Sequence, residues 1–557
     1  MAALRLPAWI RFCAPTSAAF THRNHMRKEF RKIVIAADRS GAGKTTVSCG
    51  LLAVLKKRGV KVQSFTCGPD YIDPMFHRRV LGVPSGNLDS FFTEAMTLRE
   101  IFRARMAERR SELALVEGVM GYYDGLGGVS SRASTWEIAH ILDAPTILVM
   151  DAKGASVSIA ALVRGMMGFG EDRGAQSGIR GLILNRVSPM FYPRLKSVIE
   201  EYCPGIEVLG YLPELPELKV PSRHLGLVEP GEIEDFQRWT ERVAAQMEES
   251  VEVERLMEIA GVDGLNIPQA LGWDEWNNLK CLDMSAYEIG DDDATDGQNL
   301  SGENTWLHGN DASVQAVTCM TMDGGSIDRN TEGAKMPESR RVRIAVSEDE
   351  AFNFTYEENR ALLRQLGAEL VPFSPLHDEA LPADVDGLIL SGGYPELYKD
   401  ALHAAVSMRA SVSEAVKLEL PTIAECGGYM YLLDAIEQVP MCGVLSGDAE
   451  RKTRLVRFGY VEAETRRDSV LGPAGTVLRG HEFHRYDCDF NGADCTLTKP
   501  AAGHGRAATS ARSYEGIYLT DSLAAGFPHF YYWSNPAALA HFLDSCRTWR
   551  RKQQGNI

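Results

Sequence analysis

Residues Ile33–Thr46 read IVIAADRSGAGKTT, a run of β-branched and small apolar residues that ends in glycines, a lysine and two threonines. The apolar part predicts a buried strand, and the following VSCGLLAVLKKRG predicts a helix. Gly41, Gly43, Lys44 and Thr45 form the turn between them. In such a strand–loop–helix unit the backbone N–H groups and the helix N-terminus face a phosphate, Lys44 reaches its outer oxygens, and Thr45 can hold Mg²⁺. The full P-loop pattern has a glycine five positions before Gly43, where this chain has Asp38. A plain small-residue turn would not call for a lysine and the threonines Thr45 and Thr46 at the mouth of a helix. Gly41, Gly43, Lys44, Thr45 and Thr46 are therefore the expected nucleotide-binding residues.

Further strands follow, alternating with helical stretches. Gly59–Thr66 leads to Cys67-Gly68-Pro69-Asp70-Tyr71-Ile72-Asp73-Pro74, which places Asp70 and Asp73 at a strand's carboxyl end. Leu113–Glu117 leads into the glycine-rich loop Gly118–Gly125, which carries Asp124. Ligands bind at the carboxyl strand ends of an open parallel α/β sheet. Either acidic turn alone would read as simple turn chemistry. Together, Asp70, Asp73, Glu117 and Asp124 suit Mg²⁺ binding and the handling of an anionic substrate, with Glu117 at the usual place of a P-loop protein's metal carboxylate. Asn185, after the strand Gly181–Leu184, is a candidate for reading a nucleotide base edge. The alternation predicts an α/β fold with a doubly wound parallel sheet.

At 557 residues the chain exceeds what one core serves and predicts several domains. Hydrophobic residues at 45% and charged residues at 24% are ordinary for a globular protein. The net charge of −16 argues against a nucleic-acid or anionic-membrane partner. No apolar run approaches the roughly 18 residues of a membrane span. Eleven cysteines without CxxC pairs predict reduced thiols and a cytoplasmic chain. Residues 1–28 lack acidic residues, as a transit peptide would, but Met26 just before the first strand favours an over-extended start. Residues 29–245 form the P-loop domain, 246–340 an acidic linker expected to be largely disordered, and 341–550 a second α/β domain.

In that second domain Val385–Leu390 runs into Ser391-Gly392-Gly393-Tyr394, and Pro421–Ala424 runs into Glu425-Cys426-Gly427-Gly428. A cysteine at a sharp strand-to-helix turn is a nucleophile-bearing geometry. The helix, expected over YMYLLDAIEQ, would lower the thiol pKa and offer N–H groups to an oxyanion. The base it needs is sought in a distant histidine: His529, with His481 and His484 as competitors.

GAGKTT, CGPDYIDP, NLDSFF, VEGVMGYYDG and LILNR, in this order and spacing, resemble the cobyrinic acid a,c-diamide synthase family, whose amino-terminal domain is related to dethiobiotin synthetase. ILSGGYPELY, AECGGYMYL and GHEFH resemble that family's class I glutamine amidotransferase domain. The resemblance implies metal- and substrate-handling roles for Asp70, Asp73, Glu117 and Asp124, with Thr45, Glu117 and Asp70 around the metal. It implies Cys426 as nucleophile, His529 as base, and Gly393 and Gly427 as oxyanion donors. The family's second histidine is Tyr531 here and no acidic third member follows, so a Cys–His dyad is expected. ATP would phosphorylate carboxylates of a corrinoid or other tetrapyrrole, and L-glutamine would supply the nitrogen. A homodimer is compatible with such a synthase. The rival substrate is Ni-sirohydrochlorin, and the rival class is a P-loop switch ATPase carrying an inactive amidotransferase module.

Overall fold

A computed structural model describes residues 30–171, 177–214, 230–261, 341–503 and 509–555. The expectations for residues 1–28 and for most of the linker, 262–340, lie outside the described residues.

The first domain is a seven-stranded sheet: β1 (Arg31–Ala37), β2 (Val62–Cys67), β3 (Ser85–Leu88), β4 (Leu113–Glu117), β5 (Thr146–Asp151), β6 (Ile179–Asn185) and β7 (Glu207–Leu212). Their order is β3-β2-β4-β1-β5-β6-β7, and every pairing is parallel. All carboxyl ends therefore open on one edge. Side chains of β1 alternate between two cores: Val34 and Ala36 join one face, Ile33 and Ile35 the other. Burial on both faces is why these strands are continuous apolar runs.

Helix Pro230–Ser250 lays Phe236, Trp239, Val243 and Met247 on the second core, and helix Val253–Ile259 adds Val253 and Leu256. The boundary expected at residue 245 thus falls inside a packed helix, because its apolar positions recur at helical spacing past that point.

The second domain has a six-stranded sheet in the order Ala368–Phe373, Val342–Ser347, Gly387–Leu390, Thr422–Glu425, Leu523–Gly526 and Tyr518–Leu519. The last strand alone is antiparallel. A five-stranded antiparallel sheet stands beside it: Arg512–Gly516, Cys495–Lys499, Arg457–Thr465, Val477–His484 and His529–Phe530. The helix expected over YMYLLDAIEQ is short: it spans Gly427–Leu432, and Leu433–Ile436 continues as a strand paired with Leu445–Arg451.

The two domains meet through rings. Phe91 stacks on Tyr460 at 4.4 Å, and Phe92 on Tyr531 at 5.0 Å. The Tyr460 hydroxyl donates to Asp89 Oδ2 at 2.8 Å, and Arg479 donates to the Phe91 carbonyl at 3.1 Å. Gly86 admits the buried Glu358, whose Oε1 would lie 2.0 Å from any Cβ there. Tyr531, where the resemblance led us to expect a second histidine, is 1% exposed and stacks on Phe92 at this interface.

Candidate active sites

The P-loop follows β1. Gly43 caps helix α1 (Lys44–Lys57) at φ 103° without a side-chain cap, so a ligand can approach the first-turn N–H groups. A Cβ on Gly43 would sit 2.1 Å from Asn185 Nδ2. Asn185 Nδ2 itself donates to the Ala42 carbonyl at 2.9 Å, while its Oδ1 accepts from Arg186 N at 3.0 Å. In this structure Asn185 braces the loop from the end of β6. Thr45 and Thr46 are half-buried in the first helical turn, and Gly41 is exposed at the loop tip.

Lys44 Nζ donates to the Met120 carbonyl, inside the loop after β4. Burial holds its ammonium below the usual value, and Glu117, Asp73, Asp38 and Asp124 oppose that shift. Of the acids named from sequence, three thus act directly on this lysine. Asp70 belongs with them: burial first, then Asp73, pushes its carboxyl well above the ordinary range. Asp70 Oδ1 accepts from Ile72 N at 2.7 Å and Asp73 N at 3.3 Å, and Asn87 Nδ2 donates to its carbonyl at 2.6 Å. Asp124 Oδ2 accepts from Gly121 N at 2.8 Å.

Glu117 is 1% exposed, and His77 Nε2 stands 3.4 Å from its Oε2. Ser64 Oγ holds the other nitrogen of His77 at 2.9 Å. His77 had no sequence signal beyond its place one helical turn past Asp73. Among the described residues no three His, Cys, Asp or Glu side chains form a metal cage. A P-loop Mg²⁺ does not need one, since it takes one or two carboxylates and completes its shell with phosphate and water. An unforeseen ionic group flanks the loop: Asp151 pairs with Arg39 at 3.0 Å and Arg186 at 2.5 Å.

In the second domain Cys426 has φ 49° and ψ −103°, a strained turn that lifts the side chain off the strand. Its N–H donates to the Gly526 carbonyl at 2.8 Å. The neighbouring glycines are sterically required: a Cβ on Gly427 would lie 2.9 Å from Gly393 N, and one on Gly428 2.2 Å from the Leu390 carbonyl. Gly393 and Gly427 are thereby brought together. The thiol does not follow the expectation from sequence. Burial, with Glu396 nearby, pushes its pKa up, and a six-residue helix does not offset that.

His529 pairs with His481 across the antiparallel sheet. Its ring packs on Gly392, whose Cβ would lie 2.1 Å from Cε1. Burial, then His481 and His484, lower its pKa to about 3, so the imidazole is neutral at pH 7. His484 is engaged elsewhere, bonded to the Tyr486 carbonyl at 2.7 Å and stacked on Phe527 at 4.0 Å. An acid does stand by His529, although none follows it in sequence. Glu425 Oε2 lies 3.9 Å from His529 Nδ1, and Oε1 accepts from Phe530 N at 3.3 Å and the Tyr532 hydroxyl at 3.0 Å. Burial raises Glu425 to about 8.

The two sites adjoin. Tyr71, between Asp70 and Asp73, places its ring centroid 5.1 Å from that of His529.

Residues 33–228 match the CobQ/CobB/MinD/ParA nucleotide binding domain, and residues 343–537 the CobB/CobQ-like glutamine amidotransferase domain. The chain is 34% identical over 530 residues to the cobyrinate a,c-diamide synthase of Caldanaerobacter subterraneus, covering 94% of this chain and 100% of the relative. It is 32% identical over 533 residues to that of Priestia megaterium, covering 95% and 99%. To the hydrogenobyrinate a,c-diamide synthase of Streptomyces coelicolor it is 34% identical over 521 residues, covering 93% and 98%. With both domains matched and the relatives aligned almost end to end, the chain belongs to the cobyrinate and hydrogenobyrinate a,c-diamide synthase family.

Proposed function

We propose that this protein is a cytoplasmic glutamine-hydrolysing ligase that amidates the a and c acetate carboxylates of cobyrinate or hydrogenobyrinate, a step of cobalamin biosynthesis. The observation that carries the reading is the junction of the two sites, where the Asp70–Asp73 turn packs on the domain of Cys426 and His529.

ATP lies along Gly41–Thr46, with Asn185 at the base once its amide exchanges partners. A substrate carboxylate oxygen attacks the γ-phosphorus, ADP leaves, and an acyl phosphate forms. Lys44 turns from the Met120 carbonyl to the phosphate oxygens and neutralises their charge. Thr45 and Glu117, with Asp70 beside them, would hold Mg²⁺, which supplies further charge neutralisation when bound. Asp73 and Asp124 orient the substrate.

In the second domain His529 takes the Cys426 proton as sulfur attacks the glutamine amide carbon, and the Gly393 and Gly427 N–H groups receive the oxyanion. The proton passes to the leaving ammonia, and water then hydrolyses the glutamyl thioester. Ammonia crosses the junction and displaces phosphate, giving the amide.

The protein is tested with ATP, Mg²⁺ and glutamine on cobyrinate, hydrogenobyrinate and Ni-sirohydrochlorin, counting amides by mass. Two amides on a cobyrinate-type substrate are expected. Cys426→Ala should lose glutamine-dependent product about a thousandfold or more and keep ammonia-dependent product. Glutamine-supported synthesis without Cys426 would remove the nucleophile assignment. ATP hydrolysis that ignores every macrocycle would favour a switch ATPase.

A further inference from the structure

One face of the antiparallel sheet runs from the buried junction of the two domains out into solvent. In the pairing of Arg457–Thr465 with Val477–His484, Phe458 stands opposite Phe483 and Tyr460 opposite His481. Positions two apart on a strand, and positions directly opposite across a pair, share a face, so these four rings line one side. They follow one another in series: Phe483 to Phe458 at 5.7 Å, Phe458 to His481 at 5.7 Å, and His481 to Tyr460 at 5.8 Å. The inner end of the series is closed. Tyr460 donates to Asp89, and a Cβ on Gly68, two residues before Asp70, would lie 3.6 Å from its hydroxyl. The outer end is open: Phe458 is 62% exposed and Phe483 42%.

Neighbouring apolar rings left in water and rimmed by polar groups mark a surface that binds something. The charge around these two says what. The stretch before Phe458 reads Arg451-Lys452-Thr453-Arg454-Leu455-Val456-Arg457. It is tied to the end of the neighbouring strand, where Val456 N donates to the His484 carbonyl at 3.0 Å and Lys452 N to the Arg485 carbonyl at 2.8 Å. Lys452 pairs with Glu450 at 2.9 Å, and Arg457 lies over the Tyr514 ring at 4.4 Å. Arg454 and Arg485 are exposed, and among the described residues neither forms an ion pair. In a chain of net charge −16, two such guanidiniums beside two exposed rings suit a ligand that is flat and apolar in its middle and anionic at its rim. A second copy of this acidic chain fits that description poorly. A tetrapyrrole ringed by carboxylates fits it well.

We propose that Phe458 and Phe483 form the shelf on which the macrocycle of the acceptor lies, with Arg454 and Arg485 holding rim carboxylates that do not react. The proposal rests on the reading of the protein as an amidase of cobyrinate or hydrogenobyrinate carboxylates. From Phe458 to Tyr460 is two residues of strand, about 7 Å, which is less than such a macrocycle is wide. A ring lying on the shelf therefore extends an acetate arm past Tyr460 towards the carboxyl strand ends, where Asp70 and Lys44 stand. The four shelf residues touch no reacting atom. They hold the substrate, and they set a carboxylate-bearing macrocycle apart from a small carboxylic acid that would reach the same strand ends with nothing to lie on.

The test uses the full chain, a ring pair (Phe458→Ser with Phe483→Ser) and a charge pair (Arg454→Glu with Arg485→Glu). Amides are counted over a range of cobyrinate with ATP, Mg²⁺ and saturating ammonium, so that Cys426 takes no part. Binding of cobyrinate is followed in parallel by equilibrium dialysis, read by the absorbance of the macrocycle itself. Each pair of substitutions should raise KM and the dialysis Kd about tenfold or more, with kcat within about threefold. KM of the unsubstituted protein should rise with salt, and the charge pair should flatten that rise. Both variants should keep the thermal shift given by ATP and Mg²⁺, which reports an intact fold and P-loop. The side chains of Arg454 and Arg485 are exposed, so the charge pair decides the matter should the ring pair fail to fold. Absence of amides from the unsubstituted protein would remove the functional reading, and this proposal with it. With that protein active, the proposal is overturned if both pairs leave KM and Kd within about twofold of its values. It is also overturned if the ring pair turns a dimer into a monomer at unchanged KM, which would make the shelf a contact between copies.

Discussion

Cys426 and His529 are both held in their uncharged forms by burial. In the proposed mechanism His529 must be neutral to accept the Cys426 proton. With its pKa lowered to about 3, the base form is complete through the mildly acid range. Glutamine kcat/KM should therefore stay level as pH falls from about 7.5 to 5.5, where an ordinary histidine of pKa about 6.5 would be protonated. An inflection near 6.5 would contradict a buried neutral base. The same depression, shared by His481 at about 3, has a sign for stability. Below about 6.5 the unfolded chain binds protons that the fold refuses, so the contribution of these histidines is complete above that pH and is lost as pH falls towards 3. At the other site, Lys44→Ala should remove amidation with glutamine and with ammonia alike, by about a thousandfold, because phosphoryl transfer precedes both. Ammonia-dependent product from that variant would exclude the acyl phosphate.

At the scale of elements, the strand–P-loop–helix unit carries a sharp prediction. Gly43→Ala places a methyl 2.1 Å from Asn185 Nδ2 at φ 103°, so the loop must leave its brace. Strain of about 1–3 kcal/mol is expected, with loss of the thermal shift that ATP gives the unsubstituted protein. This unit was legible because each residue in it has one local job: apolar burial, positive φ, or charge. The acidic strand ends were legible for the same reason, since a parallel sheet puts every carboxyl end on one edge. YMYLLDAIEQ was not. Tyr429 to Leu433 are all buried, and an apolar run buried on every side has no period to separate helix from strand. The sheet that carries His481 and His529 was also missed, since its five strands pair across long separations that no local pattern records. Glu425 escaped because an acid was sought after the histidine, whereas the parallel pairing of Thr422–Glu425 with Leu523–Gly526 brings one from beside the nucleophile. The thiol pKa went the other way because a short helix was weighed without its burial.

At the scale of the molecule, the domains are joined by groups that are costly to leave alone. Asp89 is 2% exposed, and burial raises its carboxyl to about 6 despite the Tyr460 hydroxyl. Tyr460→Phe removes that donor from a buried acceptor and should cost about 1–3 kcal/mol, read as a lowered Tm with both half-reactions retained. An unchanged Tm would mean that water replaces the hydroxyl. The stacked pairs Phe91–Tyr460 and Phe92–Tyr531, with Arg479 on the Phe91 carbonyl, make this face resemble the interior of a permanent complex more than a hinge. The peptide connection between the halves is then dispensable to their union. A chain cut at a protease site introduced near residue 300 should run as one particle and keep glutamine-dependent synthesis, a two-subunit enzyme whose partners are delivered in equal number by a single translation.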